Sequence, residues 1–518
     1  MNYHKSKAWR QYEAGKAYKR RIGLYETTRK NQAFYCGEQW SSSDSRELPH
    51  PVFNIIRRVV DYLVCSVAST DLSISFTDEN MPFCDAAAQE RSRALIETLN
   101  ANTAYRWEKS SMDSKIFALL TNAAVVGDGA LYCYWDPNAN GAGEYGGDIV
   151  TDVADATCIF PSDVNKSDIQ SQEYVIISGR SSVSSLRREA RQNGVDEDDV
   201  LKIVRDDDLV RSGIHGGLEL EGEDEEKATF IIKFWREDGD VCFEKSTREC
   251  VIKRARTACR LYPIVTFSWT RSQNSFHGTS PVTSMVPNQK FINRAYAMAM
   301  KHMTDTAFSK VIYDKSRIPE WSNEIGEAIA AMGGGNISDA VSVVGTGDMQ
   351  NGFMDLINSA VTLTKELMGA TESALGNMEA RNTSAILALQ ETSRIALDNV
   401  RYSFYAAIEE LAAIWADMIC AYYTDDRLLP CSNGADITAR QIDVSLLRRA
   451  AVSARVDVTE ISRFSAAAAQ NILDKLLEKG YVSPAEYVRR LPAGLISDKQ
   501  SLIEQIENGK DVAYGRID

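Results

Sequence analysis

The longest amphipathic pattern in the chain lies between residues 385 and 425. Apolar residues recur there at every third or fourth position: Leu397, Val400, Phe404, Ile408, Leu411, Trp415, Ile419 and Tyr422. The segment between Gly376 and Pro430 contains neither glycine nor proline, so no residue in it favours a helix end. We predict one continuous helix, which over about forty residues at about 1.5 Å per residue would be about 60 Å long.

A second helix is predicted just upstream, over residues 355–376. Its apolar positions are Leu356, Ala360, Val361, Leu363, Leu367 and Met368. Residues 377–384, between the two helices, are mostly polar and lack the apolar stripe. The pattern therefore predicts a helix, a short exposed break and a very long helix.

The first half of the chain combines helices with strands. Helical periodicity covers residues 6–36, 51–68, 85–99 and 104–126, and Gly37 is well placed to end the first helix. Shorter apolar runs bounded by turn residues predict strands at 130–135, 174–177, 230–235 and 265–267. We therefore expect a fold of the mixed α+β class that is predominantly helical.

A helix and a small α/β insert are predicted between residues 280 and 344. Ser280 and Pro281 favour a helix start, Pro287 is expected to interrupt it, and a regular helix should then cover 288–308. The basic residues Lys290, Arg294 and Lys301 share one face of that helix. The insert is predicted as a strand at 310–314, a helix at 319–332 and a strand at 340–344.

The C-terminal part is predicted to begin with a strand at 454–458. Three helices are expected after it, at 459–478, 483–490 and 497–507, separated by Gly480 and Pro484. No repeat period is visible along the chain.

Composition narrows the class of protein. The 518 residues suggest about three or four domains, and 44% hydrophobic with 25% charged residues is ordinary for a globular protein. The net charge of -14 argues against a protein that grips DNA phosphates strongly. The charged N-terminus and the absence of a long apolar run predict neither a secretory signal nor a membrane span.

Motifs of catalysis and of metal binding are absent from the sequence. The ten cysteines form no CxxC and the five histidines no HExxH, so we expect reduced thiols and no metal site. There is no P-loop and no GxSxG, and we expect neither an enzyme nor a cofactor. The acidic runs 206–208 and 219–226 are typical of solvated loops, although such carboxylates also bind Mg²⁺ in nucleases.

Five short segments, taken in order along the chain, suggest a family. They are Phe34-Tyr35-Cys36-Gly37-Glu38-Gln39-Trp40; Asn54-Ile55-Ile56; Phe276-His277-Gly278-Thr279-Ser280-Pro281 with Gln289 and Asn293; Leu375-Gly376 leading to Asn382-Thr383-Ser384-Ala385; and Leu476-Leu477-Glu478-Lys479-Gly480-Tyr481-Val482-Ser483. Together with the helix, insert, helix, break and long helix, this order resembles the portal proteins of tailed double-stranded DNA phages over nearly the whole chain.

The resemblance implies an architecture of named parts. Residues 1–281 would be the wing, 282–308 the first stem helix, 309–354 the clip and 355–376 the second stem helix. Residues 377–384 would be the tunnel loop, 385–453 the long kinked wing helix and its return, and 454–518 the helical crown. Pro287 leaves the upper boundary of the stem open by several residues.

The resemblance also implies function and partners. It predicts a homo-oligomeric ring of twelve subunits at one vertex of the virion capsid, through which double-stranded DNA is packaged, retained and ejected without sequence specificity. Terminase, a head-tail adaptor, and the major capsid and scaffolding proteins would be its partners, with no membrane involved.

Candidate site residues follow from this map. The tunnel loop residues Asn377, Met378, Glu379, Ala380, Arg381, Asn382 and Thr383 would face the DNA, with Arg381 contacting a phosphate or forming a salt bridge. The clip residues Arg317, Glu320 and Trp321 would contact a partner, or Trp321 would pack within the clip.

Three other functions are considered beside the portal. They are another minor head or connector protein, a metal-dependent nuclease that uses the acidic runs, and a helical scaffold protein without a channel.

Overall fold

A computed structural model describes most of the chain. The described residues are 6–41, 48–68, 70–139, 146–206, 226–306, 310–322, 329–344, 351–370, 397–432, 437–460 and 473–491, with Leu502, Ile503 and Ile506. They divide into two compact units. The first consists of residues 1–26, 63–280 and 397–518, and the second of residues 27–62 and 281–396.

The fold is mixed α+β, as expected, and helices make up about half of the described residues. The helices are α1 Lys7–Arg21, α2 Leu24–Cys36, α3 Ile55–Ala68, α4 Ala86–Lys109, α5 Met112–Val126, α6 Val183–Gln192, α7 Glu197–Val200, α8 Pro281–Thr306, α9 Asn351–Leu367, α10 Asp398–Tyr422, α11 Val444–Leu447 and α12 Pro484–Arg490.

The strands lie in five antiparallel sheets. They are β1 Thr70–Asp78, β2 Asp128–Asp136, β3 Asp148–Ala154, β4 Ile159–Pro161, β5 Tyr174–Ser182, β6 Lys227–Glu237, β7 Asp240–Ser246, β8 Val251–Arg256, β9 Ile264–Ser268, β10 Lys310–Tyr313, β11 Val341–Val344, β12 Leu428–Ser432, β13 Ile437–Gln441 and β14 Val452–Glu460. The largest sheet has the order β4-β5-β6-β7-β8, and a second has the order β3-β2-β9.

The first unit is built around helix α10. The predicted stripe from Leu397 to Ile419 is buried along its whole length, which confirms the helix from Asp398 onward. Trp415 is 1% exposed, and its indole Nε1 donates to Thr151 Oγ1 of β3 at 2.9 Å. Residues 385–396 of the predicted helix lie outside the described residues.

Helix α1 packs on the five-stranded sheet. Trp9 and Tyr12 form an apolar cluster with Phe160 and Ile176, and the Lys19 ammonium donates to the backbone carbonyls of Thr157 and Ile159 at 2.8 and 2.5 Å. Burial lowers the pKa of Lys19 to about 8. The amphipathic helix predicted over 6–36 is two helices, because Gly23 adopts a left-handed φ of 68° between them.

The division between α4 and α5 differs from the prediction. The sequence pattern predicts a gap between two helices at residues 100–103. In the structure α4 continues to Lys109, and the two helices are separated at Ser111, whose φ is 49°. Asn102 and Thr103 are buried inside α4, and tertiary packing overrides their weak helix propensity.

Strand β14 spans the residue at which the crown is expected to begin. It pairs with β1 from Thr70↔Glu460 to Asp78↔Val452, so a boundary at 454 falls inside a strand of the first unit. Thr459 and Glu460 belong to that strand and not to the predicted helix 459–478. Helix α12 confirms the prediction at 483–490, and most of 497–507 lies outside the described residues.

Helix α8 in the second unit passes through Pro287 without interruption, so the predicted break is wrong. The proline removes one hydrogen bond to the carbonyl four residues earlier. Val282, Met285, Val286 and Ile292 are fully or almost fully buried on both sides of it, and this burial outweighs the cost.

Helix α9 is shorter than the predicted 355–376 at its C-terminal end. It ends at Leu367 because Gly369 adopts a φ of 73°, and Ala370 N donates to Lys365 O at 3.0 Å, which closes the end of the helix. It also begins at Asn351, inside the segment expected to belong to the clip.

The insert contains the two predicted strands, β10 and β11, paired with each other from Lys310↔Val344 to Tyr313↔Val341. The predicted helix at 319–332 is not present in its described parts, 319–322 and 329–332. Gly333 and Gly335 have positive φ angles in the turn that follows.

Candidate functional site: two polar clusters and two helices with exposed apolar faces

A buried polar cluster joins three of the sequence segments singled out above. On α8, Gln289 Nε2 donates to Phe53 O at 2.7 Å and to Asn293 Oδ1 at 2.9 Å, while Gln289 Oε1 accepts from Ile55 N at 3.1 Å. Asn293 Nδ2 donates to Gln39 Oε1 at 2.6 Å. Gln289 and Asn293 meet because residues four apart share a helix face.

The same cluster fixes the ends of the neighbouring helices. Gln39 Nε2 donates to Phe34 O at 2.9 Å, and Gly37 ends α2 with a φ of 96°, as predicted. Asn54 Nδ2 donates to Tyr35 O at 2.9 Å, and Asn54 Oδ1 accepts from Arg57 N at 3.1 Å in the first turn of α3. Removing one of these buried partners would leave several backbone groups unsatisfied.

A second buried cluster, in the first unit, holds the segment 276–280. Asp128 Oδ2 accepts from His277 Nδ1 at 2.8 Å, and Asp128 Oδ1 accepts from Ser268 Oγ and Gly278 N at 2.7 and 2.8 Å. Burial lowers the pKa of His277, although the hydrogen bond to Asp128 opposes the shift, so the imidazole is neutral at pH 7. A Cβ on Gly278 would lie 2.7 Å from the side chain of Ser268, which accounts for glycine there.

The predicted basic residues of α8 line or adjoin a groove in the second unit. The groove has a volume of about 650 Å³, and its walls include Phe34, Phe291, Lys290 and Arg294. The Lys290 ammonium lies 5.7 Å from the centre of the Phe34 ring. Lys301, further along α8, pairs with Asp305 at 3.7 Å.

Apolar side chains are exposed on both long helices of the second unit. On α9, Leu356, Leu363 and Leu367 are 53%, 56% and 71% exposed, and their spacing of seven and four residues places them on one face. Exposed apolar residues also follow one another on α8: Phe291, Met298, Met300 and Met303. Contiguous exposed apolar surface is characteristic of protein interaction sites.

The insert carries the three predicted clip residues. The Trp321 ring stacks on Tyr313 at 5.4 Å, which confirms the alternative that it packs within the insert. Arg317 Nη2 donates to Asn336 O at 3.4 Å, and Glu320 is exposed. Ile312, Met332 and Ile337 of the same insert are also exposed, at 62%, 62% and 69%.

The predicted tunnel loop, residues 377–384 with Asn377, Met378, Glu379, Ala380, Arg381, Asn382 and Thr383, lies outside the described residues.

Metal-binding side chains are not assembled in the part of the chain that the structure describes. No three His, Cys, Asp or Glu side chains there are arranged to hold a metal ion. Asp206, from one of the acidic runs, accepts from Thr229 N and Thr229 Oγ1 at 2.8 Å and lies 3.7 Å from Arg180. All ten cysteines are free thiols, as expected. Within the same residues, no helix is long and apolar enough to cross a membrane.

Sequence reasoning identified Gln289 and Asn293 but not what they bind. Their signal is a pair of amides four residues apart on a helix that is otherwise apolar on that side. Asp128 does not stand out in the sequence, because nothing local pairs it with His277, 149 residues away.

We compared the sequence with curated proteins and with models of protein families. No curated protein matches the chain with significance. The family described as phage P22-like portal protein matches residues 15–445, which includes both polar clusters, α8, the insert and α9. Because the match covers most of the sequence, the chain belongs to the phage P22-like portal protein family.

Proposed function

We propose that twelve copies of this chain form a closed ring whose stem is built from α8 and α9, and that the ring docks the packaging terminase and a head-tail adaptor. Portal proteins of this family are structural components of the virion, not enzymes, and take part in DNA packaging at the capsid vertex. The observation that supports the ring most directly is the apolar surface exposed on both α8 and α9.

The two exposed faces support contact between neighbouring subunits. The face of α9 carries Leu356 and Leu363 beside exposed Asp355 and Glu366, whereas α8 presents exposed methionines. The basic residues Lys290 and Arg294 lie on α8. The acidic, leucine-rich face of one copy would be complementary in charge to the basic, methionine-rich face of the next. A contact between two different faces forms a closed ring when the rotation from one subunit to the next divides a full turn evenly.

Assembly is the direct test of the proposal. Twelve chains of 57.5 kDa give a particle of about 0.7 MDa. We expect mass photometry of the purified protein to show this species, and a distribution of only monomers or dimers at micromolar concentration would contradict the ring.

The proposal also assigns each segment of the chain to a part of the portal. Residues 282–308 and 355–376 would form the stem, 309–354 the clip, 377–384 the tunnel loop and 454–518 the crown, with the remainder forming the wing.

The clip is proposed to contact partners. Two strands are too few for a stable sheet. Among the described residues no third strand pairs with β10 or β11, so we expect their outer edges to pair with neighbouring subunits. With Trp321 stacked on Tyr313, the exposed Glu320, Met332 and Ile337 are the contacts that we expect terminase or adaptor to use.

Deletion of the clip should separate assembly from packaging. We expect replacement of residues 316–339 by a short Gly/Ser linker to leave soluble protein that no longer supports DNA packaging in a complementation assay. Point substitution of Glu320 by glutamine serves as a milder control, with a partial defect. Normal packaging by the deletion would show that this insert is not the docking element.

The loop at 377–384 is proposed to line the channel and to touch the DNA backbone through Arg381. Shortening it by residues 378–382 should leave ring assembly intact and impair packaging or DNA retention, because the constriction would widen. A variant with five Gly/Ser residues at 378–382 keeps the length and controls for the loss of side chains. A structure that places these residues on the outer surface of the ring would end this assignment.

A further inference from the structure

The exposed charged side chains of α1 are all basic. The helix contains six basic residues and one acidic residue, in a chain whose net charge is -14. Its exposed residues Lys7, Arg10, Ala14, Ala17 and Arg21 are three or four positions apart and therefore lie on one side of the helix. We call these five residues the α1 row. At about 1.5 Å per residue, the row is about 21 Å long.

Carboxylates do not neutralise the α1 row. None of the described residues places a carboxylate within ion-pair distance of Lys7, Arg10 or Arg21. Glu13, the acidic residue of the helix, accepts from the indole Nε1 of the buried Trp9 at 3.2 Å. A helix face that contacts only water usually combines both signs of charge in pairs four residues apart. A row of one sign is therefore more typical of a surface that meets an anionic partner.

Two alanines keep the middle of the row flat. Ala14 and Ala17 are exposed and separate Arg10 from Arg21. The Arg21 guanidinium lies 5.5 Å from the centre of the Tyr18 ring, which limits its freedom at that end of the helix. A partner can therefore approach the helix backbone closely while the long basic side chains contact it from both ends.

The positive surface continues onto the five-stranded sheet beside Lys7. Lys233 of β6 and Arg254 of β8 lie over the ring of Trp235, at 5.6 and 5.1 Å from its centre. Burial and the nearby charge of Lys7 both lower the pKa of Lys233, so these two ammonium groups are neighbours. Glu244 lies between Lys233 and Arg254 in the sheet register and offsets one of their charges.

We propose that the α1 row is a contact surface for the phosphate backbone of double-stranded DNA, separate from the proposed channel. One DNA strand has a phosphate about every 3.4 Å along the axis, so a row of about 21 Å faces about six phosphates. A rigid, regularly spaced row of cations fits a regular polyanion better than the irregular carboxylates of an acidic protein segment.

The contact is weak and does not depend on base sequence. Three basic residues without a base-reading element neutralise about three phosphates, so the affinity is low and falls steeply with salt. This agrees with a chain that is acidic overall. The α1 row belongs to the first unit, whereas α8 and α9 of the proposed stem belong to the second, so the contact does not require a ring.

Closed circular DNA tests this surface apart from the channel, because a covalently closed duplex cannot pass through a closed ring. We expect the purified whole chain to retard a small circular duplex and its linear form equally in a gel-shift titration at low salt. The logarithm of the association constant should fall linearly with the logarithm of the salt concentration. Binding of the linear form alone, or of neither form, would overturn the proposal.

Neutralising the α1 row should remove the contact. The triple variant Lys7→Gln/Arg10→Gln/Arg21→Gln replaces exposed side chains, so its fold should be kept. We expect the association constant for circular DNA to fall by at least about tenfold, and the salt slope to decrease by about three, or about one for each lost phosphate contact.

A charge-matched control separates the row from net charge. The variant Arg191→Gln/Lys202→Gln/Arg256→Gln removes three exposed cations that already pair with Glu197, Asp199 and Asp240. It should leave the affinity and the salt slope nearly unchanged. Equal losses in the two triple variants would show that net charge alone governs binding and would refute the assignment. Polyglutamate that displaces circular DNA more effectively than unlabelled duplex at equal charge would contradict it as well, in favour of an acidic protein partner.

Discussion

Replacing Leu356 and Leu363 together with aspartate is expected to convert the ring into single subunits. Both side chains are about half exposed on α9 and lie on one face, two helical turns apart. Complete burial of an exposed leucine contributes about 1.5–3 kcal/mol, and about half of each side chain remains to be buried, so the two together contribute about 1.5–3 kcal/mol per contact. The aspartates would in addition place carboxylates in an apolar interface. We therefore expect subunit association to weaken by at least about a hundredfold.

Mass photometry measures this outcome directly. The unmodified protein should appear at about 0.7 MDa and the double variant near 57.5 kDa. Phe83→Asp is the matched control, because Phe83 is 89% exposed and belongs to the first unit, whereas α9 belongs to the second, and this variant should still form the large species. If the double aspartate variant keeps the mass of the unmodified protein, the α9 face is not a subunit contact.

Trp415→Ala should cause the largest loss of stability of any single substitution proposed for this chain. Trp415 is 1% exposed, and its ring lies 6.4 Å from that of Trp107. Truncating a buried tryptophan costs about 3–5 kcal/mol, and the hydroxyl of Thr151 would lose its donor as well. The free energy of unfolding should therefore fall by at least that amount.

Denaturant unfolding in the monomeric Leu356→Asp/Leu363→Asp background would measure this loss without a contribution from subunit dissociation. Tyr402→Ala is the control on the same helix, since Tyr402 is 70% exposed and its loss should change the free energy of unfolding by less than about 0.5 kcal/mol. Similar unfolding midpoints for the two variants would show that α10 does not have the central role inferred from its pattern.

Helix α10 could be predicted because its information is local. The apolar residues from Leu397 to Ile419 repeat with the helical period, and nothing in the segment interrupts them. Strands β2, β5, β6 and β9 were likewise recognisable from compact apolar runs between turn residues.

Strand β1 was missed because its partner is remote. Thr70–Asp78 alternates apolar and polar residues over only a few positions, and it pairs with β14, nearly 400 residues later. Such a pairing depends on the tertiary fold and not on local preference.

Helix ends were also poorly predicted, and the reasons are specific. Gly369 ends α9 with a positive φ, and a glycine after a run of helix formers is a signal that could have been used. Ser111 breaks the chain between α4 and α5 with a φ that serine rarely adopts, and no sequence rule favours that position.

The two buried polar clusters also differ in how far the sequence could reveal them. Gln289 and Asn293 were named only through the family resemblance, although two amides four residues apart on a largely apolar helix face are a signal that could have been used. The pair of Asp128 and His277 has no such local signal, because the two residues are 149 positions apart and only the fold brings them together.

The central claim is that copies of this chain form a ring with an open channel. Negative-stain electron microscopy of the purified, unmodified protein tests it most directly. We expect particles of about 0.7 MDa that appear end-on as rings with cyclic symmetry and a central hole wide enough for double-stranded DNA. A field of compact single subunits, or of assemblies without a central hole, would contradict the account.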